Sequence, residues 1–249
     1  MLRPEELSAV QATFGAADAQ VRRDHLLSHV IAAVARADGE WVLYGGTGLA
    51  RTHLPGFRLS EDLDLLAHPR RTAVAELERV VARRLRREFG AVEWQPPLSV
   101  AAENAPVVLR TDDGLAVRVQ VGELDVARRR WPVEVRDVVL RYSDVEPAQL
   151  PVPTLPAFVA MKTAAWEDRH VARDLADLAA LASLGAVGPE AVRILGSATG
   201  RTVHGYLFNR LPARTRAIWS AQLGHQMRGL PDPDECLDTV RRAFERATG

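Results

Sequence analysis

The stretch Tyr44–Leu66, YGGTGLARTHLPGFRLSEDLDLL, decides how the rest of the chain is read. A short apolar strand, Trp41–Tyr44, runs into Gly45-Gly46-Thr47 and then into a short helical segment. Asp62-Leu63-Asp64 follows inside a second apolar run. Alternate residues of a strand share a face, so the two carboxylates point at one spot. Converging carboxylates repel each other unless a cation lies between them, which implies Mg²⁺, with Mn²⁺ as the substitute. The glycine loop lets the chain approach a phosphate closely, offering backbone N–H groups and the Thr47 hydroxyl as donors. A metal clamp beside a phosphate cradle is the equipment of phosphoryl or nucleotidyl transfer.

Outward from that stretch, residues 4–37 show apolar positions at helical spacing (Leu26, Leu27, Val30, Ile31, Val34) and end on a glycine stop at Gly39. His25 and His29 stand four apart there and read as surface or core histidines, since no third ligand accompanies them in the sequence. Downstream, Arg70–Phe89 forms an amphipathic helix with Val74, Leu77, Val81 and Leu85 on one face. Arg79, Arg83, Arg84, Arg86 and Arg87 occupy the other, which is either a solvated face or a surface for a phosphate backbone. Residues 91–140 read as a sheet region, with Val107–Arg110 and Leu115–Val121 flanking the turn Thr111-Asp112-Asp113-Gly114 and a further strand over Val133–Leu140. Leu150–Pro156, LPVPTLP, reads as a proline-rich connector, and everything beyond it as helical, with breaks near Gly185–Pro189, Gly200, Pro212 and Pro231.

The totals set limits. The 249 residues, 47% hydrophobic, suffice for one large domain or two small ones. With 32 basic and 32 acidic residues there is no global field to attract nucleic acid, so any RNA contact must be local, as at Arg128-Arg129-Arg130 with Trp131 beside it to stack. The single cysteine, Cys236, excludes an internal disulfide and reads as an ordinary thiol. No run approaches the ~18 apolar residues of a membrane span, and MLRPEELSAVQ is too charged for a signal peptide. These features predict a cytoplasmic protein with no membrane partner. All basic residues are arginine except Lys162, so that position calls for a compact ammonium rather than a planar fork.

Gly45-Gly46-Thr47, Leu49, Arg58, Ser60 and Asp62-Leu63-Asp64 closely resemble the signature of the AbiEii-type nucleotidyltransferases. These are toxins of type IV toxin–antitoxin systems, with the MenT toxins among their relatives. A second segment, Lys162, Ala165, Arg169, Arg173-Asp174 and Asp177-Leu178, resembles the same family, so the likeness spans residues 44–178. The resemblance implies an α+β fold: a nucleotidyltransferase-type N-terminal domain (1–150), a mixed sheet with flanking helices, then an α-helical domain (151–249) that completes the active-site cleft. It implies that Asp62 and Asp64 bind the metal, while Gly45, Gly46 and Thr47 hold the triphosphate of an NTP. Lys162 would contact phosphate oxygens, Asp174 would be the essential acid of the second motif, and Arg58 and Arg173 would support the site. Ser60 stands where an antitoxin would phosphorylate its toxin, and a dianion two residues from Asp62 would repel metal-bound carboxylate and triphosphate alike.

One position departs from the pattern. Nucleotidyltransferases commonly carry a third carboxylate on a neighbouring strand, and the strand Arg118–Val121 offers Gln120 instead. Either Asp174 supplies the acid, or Glu123 swings in through a bulge at Gly122, or catalysis is weakened. Three activities follow. The leading one is a Mg²⁺-dependent nucleotidyltransferase toxin moving NMP from NTP to RNA, above all the 3′ end of tRNA. The others are transfer to a small hydroxyl compound such as an aminoglycoside, and a weakly catalytic nucleotide- or RNA-binding regulatory module.

Overall fold

The computed structural model describes residues 1–203 and 205–248, and the chain divides into two compact units. The first comprises Met1–Val126 and Glu134–Val152; the second comprises Ala127–Val133 and everything from Pro153 onward.

In the first unit, α1 (Pro4–Phe14) and α2 (Asp18–Val34) precede β1 (Glu40–Tyr44), α3 (Gly45–Thr52) and β2 (Asp62–His68). Then come α4 (Arg70–Phe89), β3 (Val92–Gln95), β4 (Val107–Thr111) and β5 (Ala116–Glu123). The five strands form one mixed sheet in the order β1-β2-β5-β4-β3. β2 runs antiparallel to β1 and parallel to β5, and the other neighbours are antiparallel. Along β2, Leu63, Leu65 and Ala67 are fully buried, while Asp62 and Asp64 on the alternate parity are half-buried. That alternation assigns the leucine face to the core and leaves the aspartate face half-open. The core is made with the apolar stripes of α2 (Leu26, Leu27, Val30, Ile31) and α4 (Val74, Leu77, Val81, Leu85). The turn at Asp112–Gly114 closes the β4–β5 hairpin as its sequence predicts.

β6 (Val133–Val138) and β7 (Ala148–Pro153) make a separate two-stranded sheet. The stretch read as a proline-rich connector is therefore mostly strand. Both strands of a two-stranded ribbon are edges, so Pro151 and Pro153 can sit in β7 with their missing N–H groups on the unpaired side.

The second unit is helical: α5 (Leu155–Arg169), α6 (Ala172–Ser183), α7 (Pro189–Thr199), α8 (Ala213–Leu223) and α9 (Pro233–Thr248). Thr154 caps α5 by accepting from the Ala157 N–H, with Pro156 in the first turn, where its lack of an N–H costs nothing. Trp166, Phe158, Leu175, Leu178 and Val240 are fully buried, and Phe208 stacks on Phe244 at 5.1 Å between ring centres. No helix among the described residues is long and apolar enough to cross a membrane. The architecture is α+β, a mixed sheet with flanking helices followed by a helical part.

Candidate active site

The glycine turn and the aspartate strand are built into each other. Tyr44, the last residue of β1, pairs with Asp64 of β2, and the chain turns at once into α3. Gly45 has φ +67°, and a Cβ there would coincide with the Asp64 carboxylate. A Cβ on Gly46 would meet Arg58 Nη2 at 2.9 Å and Ser60 Oγ at 3.2 Å. Glycine is required twice, first for the left-handed backbone and then for the close approach of three polar side chains. The Thr47 hydroxyl donates to the Asp62 carbonyl and meets the Ser60 hydroxyl at 2.9 Å, which fastens the head of α3 to the start of β2. Tyr44 gives α3 no side-chain cap, and the first amides of any helix lack an intrahelical acceptor. Backbone donors are thus presented beside two carboxylates.

Arg58 is buried at 2% exposure, with Nη1 donating to the Leu59 carbonyl at 3.0 Å. Arg118 of β5 lies beside Asp62, its Nε 3.9 Å from Oδ1. Asp64 is in register with Gln120, so the neutral amide does occupy the place beside the aspartates. The bulge considered at Gly122 is absent: pairing runs unbroken through Leu66–Gly122 and Ala67–Glu123. Glu123 is held by His68 Nδ1 at 2.7 Å and by the Arg70 backbone N–H at 3.1 Å, three positions beyond Gln120. The reason is tertiary: parallel β2 and β5 stay in register through Ala67–Glu123, and His68 with the Arg70 amide holds the acid there. Asp62 and Asp64 offer oxygen donors only, in a half-buried setting, and suit a hard divalent cation.

Beneath α3 lies a network that no motif announces. Arg51 is 2% exposed and donates to Asp24 Oδ1 (2.8 Å), Ser28 Oγ (2.9 Å) and the Val139 carbonyl (2.9 Å). Tyr142 donates to Asp24 Oδ2 at 2.8 Å. Burial pulls the Arg51 pKa down to about 10 despite Asp24, and pushes the Tyr142 phenol well above its ordinary value. These contacts tie α3 to α2 and to the chain before β7, fixing the glycine turn from behind. The partners are 23 to 118 residues apart, so only an unusual arginine in an apolar segment hinted at them.

Lys162, Asp174 and Asp177 form a buried cluster in the second unit. The Lys162 ammonium lies 3.1 Å from Asp174 Oδ1 and 2.7 Å from Asp177 Oδ2. Arg169 closes the other side of Asp174 with two bonds of 2.7 and 2.9 Å. Burial alone would raise the Asp174 pKa; Lys162 and Arg169 outweigh it and hold the carboxyl below its usual range. One compact ammonium between two carboxylates three residues apart on α6 is a task for lysine rather than arginine. Arg173, half-buried, precedes Asp174 in the first turn of α6. Trp131, expected as a stacking platform, instead packs half-buried on Ala157, Ala160, Ile194 and Leu195. Its flat apolar area is better hidden in that core than exposed beside three arginines. Cys236 is buried, and burial raises its thiol pKa to about 11, which leaves it an unreactive thiol.

A third side chain able to ligate a metal joins His25 and His29. Asp144, 115 residues from His29 in the chain, lies against both rings. Among the described residues, these three are the His/Cys/Asp/Glu group whose ligand atoms all fall within 4.8 Å of one another.

Residues 25–246 match the model of the family described as nucleotidyl transferase AbiEii toxin, type IV toxin–antitoxin system. No curated protein matches the chain. Among solved structures it is similar to MenT4, a nucleotidyltransferase toxin from Mycobacterium tuberculosis H37Rv, with TM-score 0.66 and 21% identity over 100% of this chain and 90% of that one. JHP933 from Helicobacter pylori is similar at TM-score 0.59 and 16% identity, over 93% of each chain. At these identities the two structures speak to the fold.

Proposed function

We propose a reaction for this chain from one premise: it belongs to the AbiEii family, the nucleotidyl transferase toxins of type IV toxin–antitoxin systems. It is accordingly an NTP-dependent nucleotidyltransferase. The finer reading is that Asp62 and Asp64 hold Mg²⁺, and that the chain transfers a nucleoside monophosphate to an RNA end, the 3′ end of tRNA first. The observation that carries this is the interlock of Gly45 with Asp64 and of Thr47 with Asp62, which sets backbone amides beside two carboxylates.

In this reading Gly45, Gly46 and the Thr47 backbone receive the triphosphate, and Arg58 and Arg118 add positive charge around it. A bound Mg²⁺ would neutralise phosphate charge and polarise the phosphorus under attack. Lys162, Asp174 and Arg173 are assigned to the same reaction because the family's second motif falls on them. Ser60 is the assigned point of control by an antitoxin: its hydroxyl touches Thr47, so phosphate there would place a dianion in the turn itself.

Incubation with each labelled NTP, Mg²⁺ and total RNA tests the proposal. Label should enter tRNA, and Asp62→Ala or Asp64→Ala should lower transfer at least about 100-fold. Label confined to an added aminoglycoside would replace the RNA acceptor with a small one. Normal activity in Asp62→Ala would overturn the site assignment.

A further inference from the structure

We propose that His25, His29 and Asp144 form a binding site for one divalent transition-metal ion, of which Zn²⁺ is the type, distinct from the Asp62–Asp64 pair. The histidines are four apart on α2 and so lie on one face of the helix. Their Nε2 atoms approach to 3.2 Å. Asp144 brings its oxygens within 3.1 Å of His25 Nε2 and 3.4 Å of His29 Nε2. Ligands about 2.0–2.1 Å from a tetrahedral ion are about 3.3–3.4 Å from one another, so the three atoms already stand at close to the edge lengths of such a shell.

Protons do not account for this arrangement. Two Nε2 atoms and a carboxylate make three mutual contacts, and each Nε2 carries at most one hydrogen. Two contacts at most are then hydrogen bonds, and the third sets like atoms against each other. A cation at the centre takes a lone pair from all three. The setting favours that occupant. His25 is 2% exposed, and the rings pack on Phe89 and Tyr142 at 4.8 to 5.4 Å between centres. A cavity of about 710 Å³, lined in part by His29, Asp144, Glu88 and Arg87, gives the ion an entry path and room for a fourth ligand. The Met1 ammonium lies 2.8 Å from Asp144 and 2.9 Å from Glu88, so a metal ion bound here displaces it from Asp144.

Imidazole donors select a transition metal over Mg²⁺. The site would pin α2 to the chain around Asp144, on the turn of α2 that follows Asp24. The test uses the whole chain, purified without a histidine tag, stripped with chelator and titrated with Zn²⁺, Co²⁺ and Mg²⁺ while uptake, Co²⁺ visible absorption and melting temperature are followed. Wild type should take up about one Zn²⁺ or Co²⁺ per chain, show the absorption of nitrogen-bound Co²⁺ and melt higher with Zn²⁺ than with Mg²⁺. His29→Gln and Asp144→Asn should each weaken uptake at least about tenfold. Asp62→Asn should leave it unchanged. Absence of uptake by wild type, equal uptake by the folded variants, or loss of uptake in Asp62→Asn would overturn the proposal. Should neither ligand variant fold, the wild-type Co²⁺ spectrum decides: nitrogen ligation upholds the site and an all-oxygen spectrum sinks it.

Discussion

Gly45 couples one backbone conformation to the position of a proposed metal ligand, Asp64. Its φ of +67° would cost an alanine about 1–2 kcal/mol, and the new methyl would also displace the Asp64 carboxylate. Misplacing a catalytic group by about 1 Å can cost about 100-fold in rate. Gly45→Ala should therefore lose about two orders of magnitude of transfer while melting only a few degrees lower. An equal loss of activity and of folded protein would mean that the turn serves stability alone. Gln120 is the contrasting case, a neutral side chain in register with Asp64 where an acid was sought.

At the scale of elements, two buried polar clusters do different work. Asp24, Arg51 and Tyr142 join α2, α3 and the chain before β7. Tyr142→Phe leaves one Asp24 oxygen without its donor and should cost about 1–3 kcal/mol, read from denaturant unfolding. In the second unit, Lys162 separates two carboxylates that would otherwise repel each other in an apolar setting. Lys162→Met should cost about 3–5 kcal/mol, far more than a surface pair. The pH dependence follows from the sign. Asp174 has its pKa lowered in the folded state, so its stabilisation is present above the ordinary value of 3.8 and is lost as pH falls through the folded value. Without Lys162 only Arg169 opposes burial, so the pKa rises, and acid unfolding monitored by circular dichroism should begin at a higher pH. Lys162→Arg separates stability from catalysis: a variant that melts normally and still transfers nucleotide at full rate would remove Lys162 from the reaction.

At the scale of the whole molecule, zero net charge means that the proposed RNA acceptor would have to be held by local patches. On α4, Arg79 is paired with Glu76 and Arg84 with Glu146, while Arg83 and Arg86 are exposed. Arg83→Glu with Arg86→Glu should raise the KM for RNA several-fold and flatten its salt dependence, leaving the KM for NTP unchanged. An unaltered KM for RNA would move the acceptor surface elsewhere.

The parts with local causes were legible in the residues themselves. The helix Arg70–Phe89, the hairpin across Asp112-Asp113-Gly114, the aspartate face of β2 and the glycine turn follow from periodicity and turn chemistry within a few residues. Tertiary structure decided what depends on partners far along the chain. Asp144 completes a trio with His25 and His29, Arg51 finds Asp24, Trp131 finds a core, Pro151 sits in a strand, and Glu123 stays away from the aspartates. Spacing records which side chains share a face; which distant side chain meets that face is set by how the elements pack.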